Sequence, residues 1–107
     1  MPFHAFEVSL QMVASLEEPL TVLERRDPSL AQQVRRAAAS VSLNLSEGRG
    51  TTGKDRIHLW RVAAGSADEV VASLRVAEAF GYFPPAVAAG SLALCDRELA
   101  MLWRLTH

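Results

Sequence analysis

The stretch that decides the fold is Gln33-Val-Arg-Arg-Ala-Ala-Ala-Ser-Val-Ser-Leu-Asn-Leu-Ser-Glu-Gly48. Apolar residues recur through it at spacings of three and four residues, which is the period of one face of an α-helix. These residues are Leu30, Val34, Ala37, Ala38, Val41 and Leu45. Glycine adopts the left-handed conformation that ends many helices, so we predict that this helix ends at Gly48.

The same helix carries polar side chains that helix propensity does not favour. Ser40 and Asn44 are four residues apart and share one side of the helix with Arg36 and Glu47. Serine and asparagine are poor helix formers because their side chains compete for backbone hydrogen bonds. We predict a structural polar network that fixes helix register or a subunit interface, with a binding surface as the alternative. Its members are Arg36, Ser40, Asn44, Glu47, Ser66 and Glu69.

The rest of the chain reads as three further helices, and no period-two alternation is long enough for a strand. The four predicted helices cover residues 2–26, 28–47, 52–80 and 85–106. Pro2 suits a first helical turn, Asp27-Pro28 reads as an N-cap followed by proline, and Gly81 ends the third helix. The prediction is an all-α protein, an antiparallel four-helix bundle, with one domain over residues 1–107.

Two positions inside these helices are unusual. Pro19 interrupts the first helix, and because the apolar rhythm continues across it we predict a kink, with a break into two pieces as the alternative. Gly65 lies in the middle of the third helix, where glycine costs about 1 kcal/mol relative to alanine. We predict that the second helix approaches Gly65 closely.

The amino-acid composition limits which classes of protein are possible. Half of the 107 residues are hydrophobic and 21% are charged, so the chain is too apolar to be disordered and apolar enough to suggest self-association. Cys95 is the single cysteine, which excludes an internal disulfide and a cysteine zinc site, and its apolar neighbours predict a buried thiol. No signal peptide or membrane-length apolar run is recognisable, so we expect a cytoplasmic protein.

The net charge of −1 hides an uneven distribution. Residues 35–61 contain six basic and two acidic residues, a net charge of +4, whereas the rest of the chain has five basic and ten acidic residues, a net charge of −5. Such a basic segment predicts contact with the phosphates of nucleic acid, and a solvated basic face is the alternative. The predicted nucleic-acid-binding residues are Arg35, Arg49, Lys54, Arg56 and Arg61.

Catalysis and metal binding have little support in the sequence. Asp55 and His58 form one acid–histidine pair at i, i+3, whereas di-iron bundles use two Glu-x-x-His pairs and further carboxylates. No nucleophile–base pair is recognisable. We therefore expect no enzyme activity, no metal and no cofactor. Trp60 and Trp103 are the aromatic candidates for stacking on bases, and packing is the favoured interpretation for both.

Two blocks and a terminal Gly-Tyr pair resemble a known bacterial family. The matching residues are Gln33, Arg35, Arg36, Ala37, Ser40, Asn44, Glu47 and Gly48, then Leu59, Ala63, Gly65, Ser66 and Glu69, then Gly81 and Tyr82. The pattern is similar to that of the four-helix bundle proteins encoded within intervening sequences of 23S ribosomal RNA genes, a family that includes the accessory variability determinant proteins of diversity-generating retroelements. Ser42 departs from it, since family members usually have proline there.

The resemblance implies a homopentameric ring of four-helix bundles. In the retroelement members it implies that the ring binds a reverse transcriptase and its nucleic acid. From the residues and the resemblance together we predict a non-enzymatic oligomeric scaffold that contacts nucleic acid, a reverse-transcriptase-like partner, or both through the basic segment. The alternative is a protein-interaction module with no nucleic-acid role.

Overall fold

The computed structural model describes residues 3–107, which form an all-α bundle measuring 43 × 22 × 21 Å. Its helices are α1 (His4–Ser15), α2 (Glu17–Arg26), α3 (Pro28–Arg49), α4 (Gly53–Ala79) and α5 (Pro85–Thr106). No strand occurs among the residues described. The α-class prediction is confirmed, but the described chain has five helices where four were predicted. The predicted start at Pro2 lies outside the described residues.

The additional helix arises because the predicted first helix breaks at Leu16, so the prediction of a continuous kinked helix is wrong. Proline at position 19 has no amide hydrogen to bond the carbonyl oxygen of Ser15, four residues earlier, and its ring crowds that carbonyl. At the break, the amide of Leu16 bonds the carbonyl oxygen of Val13, three residues earlier, at 3.2 Å rather than the carbonyl oxygen four residues earlier. The freed Ser15 oxygen accepts a hydrogen bond from the Ser91 hydroxyl at 3.2 Å, so α5 satisfies the break.

The turn between α2 and α3 and the end of α4 are joined to each other. The Asp27 carboxylate accepts a hydrogen bond from the amide of Leu30 at 3.1 Å, which confirms the predicted N-cap. Gly81 has a φ of 76° and ends α4, because the amide of Tyr82 then bonds the carbonyl oxygen of Ala77. This turn directs the Tyr82 hydroxyl onto the other oxygen of Asp27, at 3.0 Å. That hydrogen bond, followed by burial, raises the pKa of Tyr82.

The predicted role of Gly48 is wrong, because this residue lies inside α3 rather than after it. The helix continues to Arg49, and the residue after it, Gly50, has a right-handed φ of −83°. Gly48 is buried, and a Cβ atom built on it would lie 2.5 Å from the Trp60 Nε1 atom. Glycine is therefore required at position 48 by the close approach of Trp60, not by a helix end.

The helices enclose one continuous apolar core. The α3 helix packs mainly against α4, and α5 packs against both α4 and α1. Five of the six residues of the predicted apolar face of α3 are in the core, whereas Leu30 is partly buried and Ala31 is a core residue that was not predicted. Cys95 of α5 is buried as predicted. None of the helices over residues 3–107 combines the length and hydrophobicity needed to cross a bilayer. The ends of α3 and α4 that flank residues 50–52 form one tip of the bundle, and this tip carries most of the predicted basic residues.

Candidate nucleic-acid interface

Arg56 holds the connection between α3 and α4 together. Its Nε atom donates to the carbonyl oxygen of Gly48, and its Nη2 atom donates to that of Arg49, both at 3.0 Å. The last carbonyl groups of a helix have no partner within the helix, so the guanidinium satisfies two of them and places positive charge at the negative helix end. The same guanidinium lies 5.4 Å from the centre of the Trp60 ring. Arg56 thus has a structural role at this tip.

Trp60 is part of the packing and is not available to stack on a base. It is 8% exposed, and its indole nitrogen donates to the carbonyl oxygen of Leu45 at 3.2 Å. Its ring lies 5.5 Å from that of Phe3. Trp103 differs, since it is 61% exposed and stacks on the His107 ring at a centroid distance of 3.4 Å.

The first turn of α4 is open to solvent and carries the exposed Lys54 and Asp55 side chains. Thr52 occupies the N-cap position but makes no side-chain hydrogen bond to the amides of the first turn. Those amides have no partner within the helix, and the helix dipole adds positive potential there. The Lys54 side chain is exposed beside them, and the guanidinium of Arg49 lies over the Phe3 ring at 5.4 Å. Such an arrangement suits a phosphate group. We call residues 49–54 the basic tip.

The other two predicted nucleic-acid-binding residues are bonded to parts of the chain outside the basic tip. Arg35 is exposed on α3 and forms an ion pair with Glu24 of α2. Arg61 is exposed on α4 and donates to the carbonyl oxygen of Thr106 at 3.2 Å, where it satisfies the C-terminal end of α5. The structure therefore joins Arg56 to the carbonyl oxygen of Arg49 and leaves Lys54 exposed. Arg35 and Arg61 are instead bonded to Glu24 and to the end of α5.

A polar groove of about 260 Å³ runs between α3 and α4. The Ser40 and Ser66 hydroxyls are 2.8 Å apart across it. The Asn44 amide donates to both the carbonyl oxygen and the hydroxyl of Ser40, at 2.9 and 3.0 Å. These three predicted network residues thus meet and join the two helices. Glu69 also reaches across the groove, where it accepts a hydrogen bond from Gln33 at 3.3 Å.

Two predicted members of the network make no contribution to it. Arg36 lines the groove but forms no hydrogen bond or ion pair with any residue from 3 to 107. Glu47 is exposed and likewise has no such partner within that range. The network therefore consists of the serine–asparagine set and the Gln33–Glu69 pair. An unpaired guanidinium remains beside it.

A buried acid on α5 was missed by the sequence reasoning. Glu98 is 0% exposed, and neither of its carboxylate oxygens has a hydrogen-bond partner among residues 3–107. Burial raises the pKa of Glu98 to about 8, against a smaller opposing influence of Arg97. Burial likewise raises the pKa of the Cys95 thiol, one turn earlier, to about 11, helped by the nearby charges of Asp96 and Glu98. Its spacing could have identified it: position 98 is three residues after Cys95 and four before Leu102, which places it on the buried face of α5.

The weak metal candidate does not develop into a site. Asp55 and His58 are both exposed on the first turns of α4. Over residues 3–107 no group of three or more histidine, cysteine, aspartate or glutamate side chains is arranged to hold a metal ion.

Comparisons with known proteins agree with the architecture. The family model described as "23S rRNA-intervening sequence protein" matches residues 4–104. A crystal structure of a protein of unknown function from the S23 ribosomal protein family of Bacteroides thetaiotaomicron is similar, with a TM-score of 0.87 at 16% identity. The similarity covers 95% of this chain and 97% of that one.

No curated protein matches the chain. At 16% identity the solved structure supports the fold alone. The family model matches nearly the whole chain, and its reach includes both sequence blocks and the terminal Gly-Tyr pair. The chain belongs to the 23S rRNA-intervening sequence protein family.

Proposed function

We propose that the protein is a non-enzymatic scaffold that assembles from several copies and binds nucleic acid at the basic tip. The observation that carries this proposal is the open first turn of α4. Its first amides, which the Thr52 side chain does not cap, lie at the same end of the bundle as the exposed Lys54 and as Arg49 at the end of α3, with the exposed Asp55 beside Lys54. Backbone amides and cations directed at one point are the usual means of holding a phosphate group.

Residues that bind phosphate at the basic tip differ from residues that maintain the structure of the tip. Arg56 is bound to two carbonyl groups of the α3 end, so its removal would change the tip rather than only its charge. The exposed Lys54 side chain does not hold the carbonyl groups of α3 in this way, so its removal should change only the charge of the tip. Recognition by amides and cations reads phosphate and not base sequence, so the expected binding has little sequence preference.

Fluorescence anisotropy of labelled RNA and DNA tests the binding. We compare the wild-type protein with a Lys54→Gln/Arg49→Gln variant at low salt. The matched control is Arg25→Gln, an exposed arginine in the last turn of α2, at the opposite end of α3 from the tip. We expect the tip variant to bind at least about tenfold more weakly and the control to bind as the wild type does. Equal binding by all three proteins would contradict the proposal.

Self-association is supported by the outer face of α4. Nothing lies within 4 Å of a Cβ atom built on Gly65, so the predicted approach of α3 to this glycine is wrong. Gly65 is exposed, and the exposed apolar residues Val62, Val76 and Phe80 lie on the same helix. A glycine that weakens a helix and serves no contact within one copy is explained by the close approach of another copy. The family resemblance implies a pentamer.

Light scattering tests this part of the proposal. The wild-type protein should be larger than a monomer at micromolar concentration. Gly65→Leu should reduce the assembly while leaving the helical circular dichroism spectrum intact, because the space around position 65 is open within one copy. Gly90→Leu is the matched control on α5, where the space is also open. A monomeric wild-type protein would overturn the scaffold proposal.

The alternative is a protein-interaction module that binds no nucleic acid. The specific observation in its favour is the groove between α3 and α4, where the Arg36 guanidinium is unpaired beside the Gln33–Glu69 pair. An unpaired guanidinium in a polar groove suits a carboxylate from a partner protein. Absence of RNA and DNA binding at low salt, together with an assembled protein, would favour this alternative.

A further inference from the structure

The side chain of Glu98 lies in the bundle core without a hydrogen-bond partner. It is 0% exposed, and both of its oxygens lack a partner among the residues described. A buried polar group without a partner costs free energy, and a buried unpaired charge costs far more. The side chain therefore fits the folded protein only as a neutral acid.

The position of Glu98 along the bundle follows from the contact between α1 and α5. The Ser15 and Ser91 hydroxyls are 2.8 Å apart, while the N-terminal end of α1 lines a groove with the C-terminal end of α5. The two helices are thus antiparallel, and Glu98, seven residues after Ser91, lies at the level of Val8, seven residues before Ser15 and next to Ser9. The Ser9 hydroxyl already bonds Ser42 at 2.8 Å and the carbonyl oxygen of Phe6 at 2.6 Å.

Among the residues described, no charged side chain of a neighbouring helix is buried with Glu98. The α5 helix packs against α4, α1 and α2. The buried side chains on these helices do not ionise: they are Trp60, Ala63, Ala67, Val70, Ser73, Leu74 and Ala77 of α4, Ala5, Val8, Ser9 and Met12 of α1, and Pro19 and Leu23 of α2. On α5 itself, Cys95 is a neutral buried thiol, and Arg97 is exposed at the surface.

We propose that Glu98 is a proton-dependent latch on α5. While the carboxyl carries its proton, the C-terminal half of α5 packs on the bundle, and loss of the proton opens this half of the helix. The opened segment is residues 95–106, which includes Cys95 and the Thr106 carbonyl that holds Arg61. Opening therefore also breaks the hydrogen bond between the Arg61 guanidinium and this carbonyl oxygen.

The pH range of the latch follows from the raised pKa. In the packed helix the pKa of Glu98 is about 8, whereas the ordinary value is 4.5. The packed state holds the proton more tightly, so packing is strongest below the ordinary value and weakens as the pH rises towards 8. Within this range each pH unit raises the open population about tenfold. The latch is thus sensitive around neutral pH.

Cys95 provides a built-in probe of opening, because it is the single cysteine, is fully buried and lies one turn before Glu98. We compare its rate of reaction with a neutral thiol reagent in the wild type and in Glu98→Gln at pH 6, 7 and 8. The ratio of the two rates removes the pH dependence of the thiol reaction itself. We expect this ratio to rise at least about tenfold from pH 6 to pH 8. A constant ratio would overturn the latch.

Two further measurements distinguish the latch from general loss of stability. Hydrogen exchange at pH 8, relative to Glu98→Gln, should be faster in residues 95–106 and unchanged in α3, and an equal increase in both would overturn the proposal. Glu47→Gln, which removes an exposed carboxyl, should behave as the wild type. If Glu98→Gln fails to fold, carbon NMR titration of the wild-type Glu98 carboxyl decides: a midpoint near 8 supports the latch, and one near 4.5 rejects it.

The latch is independent of the proposed function, since these measurements contain no nucleic acid and depend on no assembly. A constant thiol ratio with intact RNA binding would remove the latch alone. Absence of binding with the expected thiol ratio would remove the scaffold proposal alone.

Discussion

Trp60 leaves no room for a side chain at position 48. A Cβ atom built on Gly48 would lie 2.5 Å from the Trp60 Nε1 atom and 2.6 Å from Cδ1. The indole is fixed there by its hydrogen bond to the carbonyl oxygen of Leu45. The contact joins the end of α3 to the start of α4, so it determines where the basic tip lies.

Gly48→Ala should therefore destabilise the protein. The added methyl group forces the indole to move and to lose its hydrogen bond, for a loss of about 1–3 kcal/mol in the free energy of unfolding. Urea denaturation followed by tryptophan fluorescence measures this loss. The matched control is Gly90→Ala, where the space is open and alanine should stabilise the helix by up to about 1 kcal/mol. Equal effects of the two substitutions would contradict the packing described for Trp60.

Ser91→Ala should destabilise the bundle through the break between α1 and α2. The substitution removes the donor to the carbonyl oxygen of Ser15 and the partner of the Ser15 hydroxyl. A buried polar group left without a partner costs about 1–3 kcal/mol. Thermal or urea unfolding should show this loss, while Ser46→Ala, at an exposed serine of α3, should change stability by less than about 0.5 kcal/mol. Similar stabilities of the two variants would mean that Ser91 does not support the break.

The stability of the wild-type protein should fall as the pH rises from about 5 to 8. Glu98 binds its proton more tightly in the folded state, whose pKa is about 8, than in the unfolded chain. The unfolded state therefore holds fewer protons in this range, and the contribution of Glu98 declines by on the order of 4 kcal/mol. Denaturant titrations at several pH values measure the decline. Glu98→Gln should flatten it, and a decline of the same size in that variant would assign it to other groups.

Arg56→Ala and Lys54→Ala should have different effects although both remove a cation from the basic tip. The Arg56 guanidinium satisfies the carbonyl groups of Gly48 and Arg49, so its loss should lower the free energy of unfolding by about 1–3 kcal/mol. Lys54 is exposed, and its loss should leave stability within about 0.5 kcal/mol. Denaturation curves of the two variants provide the comparison. A stable Arg56→Ala variant would contradict the structural role given to Arg56.

The parts of the fold that depend on local signals were predictable from the sequence. The Asp27 N-cap, the helix end at Gly81 and the apolar face of α3 each depend on residues within a few positions of one another. Pro19 marked the place where the first helix changes. The local sequence could not show whether the helix kinks or breaks there. The break is completed by a hydrogen bond from Ser91, which is 76 residues from Ser15 in the sequence.

The sequence showed which basic residues could form the candidate site, but not how they are positioned relative to one another. The basic residues of positions 35–61 were evident, yet Arg35 turns towards Glu24 and Arg61 towards the end of α5. The sequence singled out Gly48 for its conformational freedom, whereas the structure requires it for contact with Trp60. Glu98 was missed because an acidic residue is rarely buried, although it is spaced to lie with the buried Cys95 and Leu102. Each of these features depends on which helix packs against which.

Phosphate groups are proposed to bind at the open first turn of α4. The most direct test is the salt dependence of RNA and DNA binding by the wild type and by Lys54→Gln/Arg49→Gln. Each cation that neutralises a phosphate contributes about 0.7 to 0.9 to the slope of log affinity against log salt concentration. We predict that the variant has a slope shallower by roughly 1.4 to 1.8. An unchanged slope, or no binding by the wild type at low salt, would contradict the claim.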